Sequence, residues 1–209
     1  MDGASLSLAP TESTFSDSGA DEGQIGPNSV IQLGETVTRR LGRDAAHALY
    51  TSVGVPQLLD SPPTAMIDEA VPAALFEALW ELFPNRAAAL AQEAGRRTAD
   101  YIITWRIPRI AQLVLRLCPR ALAARLLLRA IHKNAWTFAG SGHCDIQLGF
   151  THLISIRDNP LTMPDCAWHC GVLAQLFIRL VAPGTRVRHL TDRRPDIQVS
   201  RFEIILPEG

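Results

Sequence analysis

Apolar residues recur every three to four positions through the first two thirds of the chain and every second position in the last third. The switch comes at Trp136. Helical spacing predicts a run of helices before that point. The first starts after the turn signal Gly26-Pro27-Asn28, where Ser29 and Gln32 have capping-box spacing, and it runs to about Leu41 before Gly42. Asp44 is placed to cap a second helix through Val53, and residues 57–71, with Pro62-Pro63, read as a loop. Pro72 suits the first turn of a helix carrying Leu75, Phe76, Leu79 and Phe83 on one face. A longer helix is expected from Asn85 to Trp105, then two more at Arg109–Leu117 and Pro119–Lys133.

Beyond the switch, Trp136-Thr137-Phe138-Ala139 and Ile146 to Ile156 read as strands, with Gly140-Ser141-Gly142 turning between them. Asp165 can cap a helix to about Val181. Strands follow at Val187–Leu190 and Ile197–Leu206, around a turn at Arg193-Arg194-Pro195-Asp196. Strands joined by short turns favour antiparallel pairing, with one helix crossing between two hairpins. The expected class is therefore α+β: a helical N-terminal half packed on a small antiparallel sheet.

Residues 1–24 break both patterns. They are rich in Ser, Thr, Gly, Asp and Ala, and their only large apolar groups are Leu6, Leu8 and Phe15. Too little surface can be buried there to offset the entropy of ordering, so the segment reads as a disordered acidic tail ahead of one domain at 25–209. The tail holds Asp2, Glu12, Asp17, Asp21 and Glu22 and no Lys or Arg. It brings the whole chain to a formal net charge of -1, while the body is mildly basic. With 47% hydrophobic residues in 209, the body has material for a sizeable core.

No secretory leader or spanning segment is read; the longest charge-free apolar stretch, Cys166 to Ile178, is too short to cross a bilayer. Cys118, Cys144, Cys166 and Cys170 lack the spacing of a disulfide framework, so reduced thiols in the cytoplasm are expected, with at most peripheral membrane contact.

Several short segments, in order, resemble the J-protein family of bacteriochlorophyll synthesis, the 4-vinyl reductase family. They are Ile25-Gly26-Pro27-Asn28, Glu93-Ala94-Gly95 leading to Tyr101, Arg106-Ile107-Pro108, and Cys166-Ala167-Trp168-His169-Cys170-Gly171. The resemblance covers about residues 25–206. It implies a vinyl-4-reductase-type ligand-binding fold, related to heme nitric-oxide-binding and TRAPP-type domains. Many such domains end on a strand carrying Cys-x-Phe, whose cysteine is a suspected metal ligand. Here the matching stretch is Ser200-Arg201-Phe202, so no metal site is expected.

The chemistry legible in the residues is that of binding. Nicotinamide and flavin enzymes commonly show a glycine-rich turn between a strand and a helix. In Gly140-Ser141-Gly142, Asp145 stands where the third glycine belongs, and a strand follows. There is no phosphate-binding loop of the Walker type and no Cys-x-x-Cys pair for an iron–sulfur centre. Cys166, His169 and Cys170 would share one helix face and could meet a metal or ligand together with His143 and Cys144, but the reading preferred over a metal site is that both cysteines are small buried hydrophobes and His169 is hydrogen-bonded.

From Tyr101 to Gly142 there are seven Lys or Arg residues and no acid, with Arg116/Arg120 and Arg125/Arg129/Lys133 in rows four apart. Leu113, Val114, Leu117, Leu122, Leu126, Leu127 and Ile131 supply the apolar counterpart. These rows are either a solvated face or a surface for an anionic amphiphile, an anionic membrane or an acidic partner. A porphyrin with propionates is such an amphiphile, and Arg can hold a carboxylate and stack on a ring. Trp80, Trp105, Trp136 and Trp168 are core residues or pocket walls.

The expected ligand-binding residues are Arg125, Arg129, His143, Trp168 and His169, with no catalytic residue and no tightly bound cofactor. The expected activity is that of an accessory protein that binds a magnesium–tetrapyrrole intermediate, a Mg-porphyrin, and passes it between pathway enzymes. The alternatives are a reductase of a chlorophyllide vinyl group and an adaptor that never touches pigment. The resemblance implies magnesium chelatase or a following pathway enzyme as partner and leaves a homodimer open. Nucleic acid is not expected, because no reading motif appears.

Overall fold

The computed structural model describes residues 23–149, 151–190 and 199–207. The expected tail through Glu22, the turn Arg193–Asp196 and Ile197 lie outside the described residues. The order is β1 (Gln24–Ile25), α1 (Asn28–Leu41), α2 (Arg43–Ser52), α3 (Gln57–Asp60), β2 (Ile67–Asp68), α4 (Ala70–Leu82), α5 (Ala87–Trp105), α6 (Arg109–Leu117) and α7 (Arg120–Lys133). Then follow α8 (Trp136–Ala139), β3 (His143–Gln147), β4 (His152–Arg157), a short 3-10 turn (Pro164–Cys166), α9 (Ala167–Leu180), β5 (Arg186–Leu190) and β6 (Val199–Ile205). The structure is the expected α+β arrangement. Helices pack on an antiparallel sheet of order β3-β4-β6-β5, and α9 crosses between its two hairpins.

Several local expectations give way to tertiary context. Ser29 lies inside α1 rather than capping it. Its hydroxyl donates back to the Gly26 carbonyl at 3.1 Å, and the Gln32 side chain accepts from Arg97 Nε at 3.1 Å. Asp44 is the second residue of α2, whose cap position is Gly42 and makes no side-chain cap bond. The expected loop at 57–71 contains α3 and β2. Gln24, read as the last tail residue, pairs with Asp68 across the β1–β2 ladder.

The largest correction is at Trp136–Ala139, expected as a strand and found as one helical turn. Its β-forming side chains are outweighed by local hydrogen bonds. Asn134 Nδ2 donates to the Ala130 carbonyl at 2.7 Å, Thr137 Oγ1 to the Asn134 carbonyl at 2.8 Å, and Ala139 N–H to the Ala135 carbonyl at 2.8 Å. The Thr137 carbonyl in turn accepts from Gly26 N–H at 2.8 Å, tying this turn to the start of the domain. The first hairpin therefore moves down the chain. It is β3–β4, with His143 opposite Arg157 and Gln147 opposite Leu153, so the expected continuous strand Ile146–Ile156 is interrupted by its own turn.

The core lies between the sheet and the helices. Ile154, Ile156, Phe202 and Ile204 are buried on the sheet face toward α9, and alternate positions of β6 point outward, as a one-sided sheet requires. Helices α5 and α9 cross at glycines. A Cβ on Gly95 would stand 2.1 Å from the Trp168 carbonyl oxygen, and one on Gly171 2.2 Å from the Gln92 carbonyl oxygen. Only glycine permits this backbone approach. The crossing fixes which residues of α9 face the cavity beside it.

Candidate functional site

That cavity, of about 400 Å³, lies where α5, α7, α8 and α9 meet the Gly26–Ser29 turn. Its volume is within the range of small-molecule sites. Helix α9 contributes Trp168, His169, Val172, Leu173 and Leu176, and α7 contributes Leu127, Ala130 and Ile131. Tyr101 and Ile102 from α5, then Arg106 and Ile107 from the link to α6, form another wall. Trp136 and Phe138 close a further side. The walls are mostly apolar, and Arg106 is the one cationic side chain among the lining residues.

His169 is 2% exposed. Its ring packs edge-on to Trp168 with centroids 5.0 Å apart, and it also touches the rings of Phe202 at 5.5 Å and Phe138 at 6.3 Å. Burial pushes its pKa down to about 4, so the imidazole is neutral at pH 7. Nε2 lies 3.4 Å from the Phe138 carbonyl oxygen, a weak contact, and Nδ1 has no hydrogen-bond partner among the described residues. The indole Nε1 of Trp168 is likewise buried without one. Two orphaned polar atoms on adjacent residues of one cavity wall are unusual, because buried polar groups are normally paired.

Of the five ligand-binding residues expected from sequence, the structure brings together Trp168 and His169. Arg125 and Arg129 are exposed on α7, on the side away from Leu127 and Ile131, and are not among the lining residues. His143 is exposed on the edge strand β3 and also lies outside the lining. Arg106 was not among the expected ligand-binding residues, although the Arg106-Ile107-Pro108 segment of the resemblance pointed at it. Its position before Pro108, at the end of α5, is what turns it to the cavity. Trp136 reaches the lining because its segment is helical.

The thiol–imidazole cluster does not share one helix face. Asp165 and Cys166 both have left-handed backbone (φ 58° and 43°), which places Cys166 ahead of α9. Its Sγ donates to Ser200 Oγ at 3.4 Å, and Asn159 Nδ2 donates to the same oxygen at 3.0 Å. Cys170 Sγ faces the Asp165 carbonyl at 3.6 Å. Burial raises both thiols, Cys170 to about 12, so they are protonated at neutral pH. Ser200, standing where the resembling domains carry a cysteine, is the hydroxyl that Cys166 meets. Among the described residues no group of three or more His, Cys, Asp or Glu side chains could hold a metal ion.

The fold defines a class: the chain has the architecture of H-NOX domains. It superposes on a structure solved to probe the function of heme distortion in the H-NOX family with a TM-score of 0.58 at 13% identity, covering 86% of this chain and 93% of that one. An Fe(II) unliganded H-NOX protein from K. algicida, a point mutant, gives 0.59 at 8% identity over 88% and 98%. No family model matches the chain. The chain is 37% identical over 192 residues to the bacteriochlorophyll synthase 23 kDa chain of Cereibacter sphaeroides, covering 89% of this chain and 92% of that protein. The protein of the same name from Rhodobacter capsulatus is 36% identical over 176 residues, 82% of each. The protein belongs to this family of bacteriochlorophyll synthase 23 kDa chains and so to bacteriochlorophyll biosynthesis. The pathway implied by the resemblance is thereby shown; vinyl-reductase activity is not part of what these names carry.

Proposed function

We propose that the protein binds a magnesium tetrapyrrole intermediate in the α5–α7–α9 cavity and passes it between enzymes of bacteriochlorophyll synthesis, magnesium chelatase or a following enzyme among them. The observation that carries this reading is the cavity wall of Trp168 and His169: two rings set edge to face, apolar and neutral, with buried nitrogens that no described residue satisfies. A tetrapyrrole fits such a wall. Ring burial would supply most of the affinity, and His169 is the residue that would hold a metal already bound by the ring nitrogens, because a neutral imidazole has a free lone pair. Arg106 would meet a carboxylate at the rim. The solved neighbours named for heme and porphyrin distortion support the fold's capacity for such a ring, in those proteins. A reductase reading has no comparable support, since Gly140–Gly142 leads into β3 rather than into a phosphate-binding helix.

Absorbance titration of the purified protein with magnesium protoporphyrin tests this. Saturable spectral change at one ligand per chain is expected, and His169→Ala should alter the bound spectrum. Ala130→Trp, which fills the cavity from an exposed helix position, should weaken binding about tenfold or more, equivalent to roughly 1.4 kcal/mol. An unchanged pigment spectrum at saturating protein would exclude the proposal and favour the adaptor.

A further inference from the structure

Helix α6 is folded with its apolar side outward. Ile110, Leu113, Val114 and Leu117 recur at i, i+3, i+4 and i+7, an arc of about 100° on a helix. All four are exposed, Ile110 by 78% and Leu117 by 76%, while Leu115 alone of this helix is buried. Trp105, 74% exposed at the end of α5, precedes it; Leu122 and Leu126 are exposed on α7, which follows. Single exposed apolar residues need no explanation, but a whole helix face does.

We propose that the face formed by the end of α5, by α6 and by the exposed side of α7 docks on an anionic lipid bilayer. Charge selects this occupant. Arg109 and Arg116 lie together along one edge of the apolar arc of α6, Arg116 Nε also donating to the Arg179 carbonyl at 3.3 Å, while Arg125, Arg129 and Lys133 share the exposed side of α7 with Leu122 and Leu126. No acidic residue occurs from Tyr101 to Gly142. An amphipathic helix with apolar groups on one side and cations beside them lies flat in a lipid interface, with apolar side chains in the acyl boundary and cations among anionic headgroups. A second copy fits less well, because a two-fold interface would set the same cations against each other. Among the described residues no helix is long and apolar enough to cross a membrane, so the contact is made at the surface.

The face also borders the cavity, since Arg106 and Ile107, immediately before α6, line it. A docked molecule would hold its cavity rim beside the lipid in which an amphiphilic pigment dissolves. That last link rests on the proposed function; the docking itself does not, and it is tested without pigment.

The test is flotation of the full chain with vesicles of phosphatidylcholine containing about 30% phosphatidylglycerol, against pure phosphatidylcholine. The chain should float with the anionic vesicles, and raising the salt from about 0.1 to about 0.5 M should weaken binding at least roughly threefold. Ile110→Glu with Leu117→Glu should lower partitioning roughly thirtyfold while circular dichroism and Tm stay unchanged, because both side chains are already in water. Trp105→Gln, outside α6, serves as an independent variant with a loss of about fivefold. Failure to float, or equal flotation of wild type and the double variant, would overturn the proposal. So would a dimer in sedimentation velocity without lipid that the double variant dissolves, which would give the face to a second copy.

Discussion

Two helical regions of this protein are about equally rich in leucine, alanine and isoleucine and behave in opposite ways. Where α5 crosses α9, apolar side chains turn inward around Gly95 and Gly171, and the helix backbones approach so closely that no methyl group fits between them. In the arm formed by α6, the apolar arc faces water and the buried side is left to Leu115. Apolar periodicity thus marks that a helix has a sticky side. It does not say whether that side is consumed by the fold or kept for a partner.

The crossing should be the most sensitive point. Gly171→Leu is expected to prevent folding, and Gly171→Ala to cost at least about 3 kcal/mol, since the obstructing atoms are backbone and cannot rotate away. In a chain of this size that lowers Tm by about 6–12 °C, measurable by calorimetry. A Gly171→Ala protein with wild-type Tm would show the crossing to be looser than described.

A truncation matched across the two regions sharpens the contrast. Leu128, fully buried on α7, should lose about 2–5 kcal/mol on change to Ala, read from urea denaturation. Leu117→Ala on α6 should stay within about 0.5 kcal/mol of wild type. Equal losses would mean that the α6 face is packed in solution.

The cavity wall has its own signature in acid. His169 has a folded pKa of about 4, below its unfolded value, so between pH 6.5 and 4 the unfolded chain takes up a proton that the folded one refuses. Stability is complete above pH 6.5 and falls as the pH drops, by up to about 3 kcal/mol from this group. His169→Gln should flatten that acid limb in pH-resolved denaturation. Part of it will remain, because burial also lowers the pKa of His152 and His189. An acid limb identical in wild type and variant would mean that His169 is already hydrated.

Much of the fold was legible in the sequence because its signals are local. Gly42, Pro84, Pro108 and Pro119 punctuate the helices where φ restrictions or a missing N–H stop them. The alternation in β6 requires one buried face, so strand pairing and the helix between hairpins followed. The class and the pathway were also legible, through short segments such as Gly26-Pro27-Asn28 and Trp168-His169-Cys170-Gly171. The structure shows these as the cavity's turn and wall and, in Gly171, the helix crossing.

What only the tertiary structure decided are the directions in which side chains face. Trp136–Ala139 has strand-forming residues, yet hydrogen bonds from Asn134, Thr137 and the distant Gly26 make it a helical turn that delivers Trp136 to the cavity. Arg125 and Arg129 have the spacing of a carboxylate clamp, but α7 is rotated so that Leu127 and Ile131 face inward. Arg106 faces the cavity because the chain bends at Pro108. A periodic pattern fixes which residues of a helix lie together. The rotation of that face depends on contacts from residues dozens of positions away, as in the Gly26–Thr137 bond and the Gly95–Gly171 crossing, and no local sequence signal encodes it.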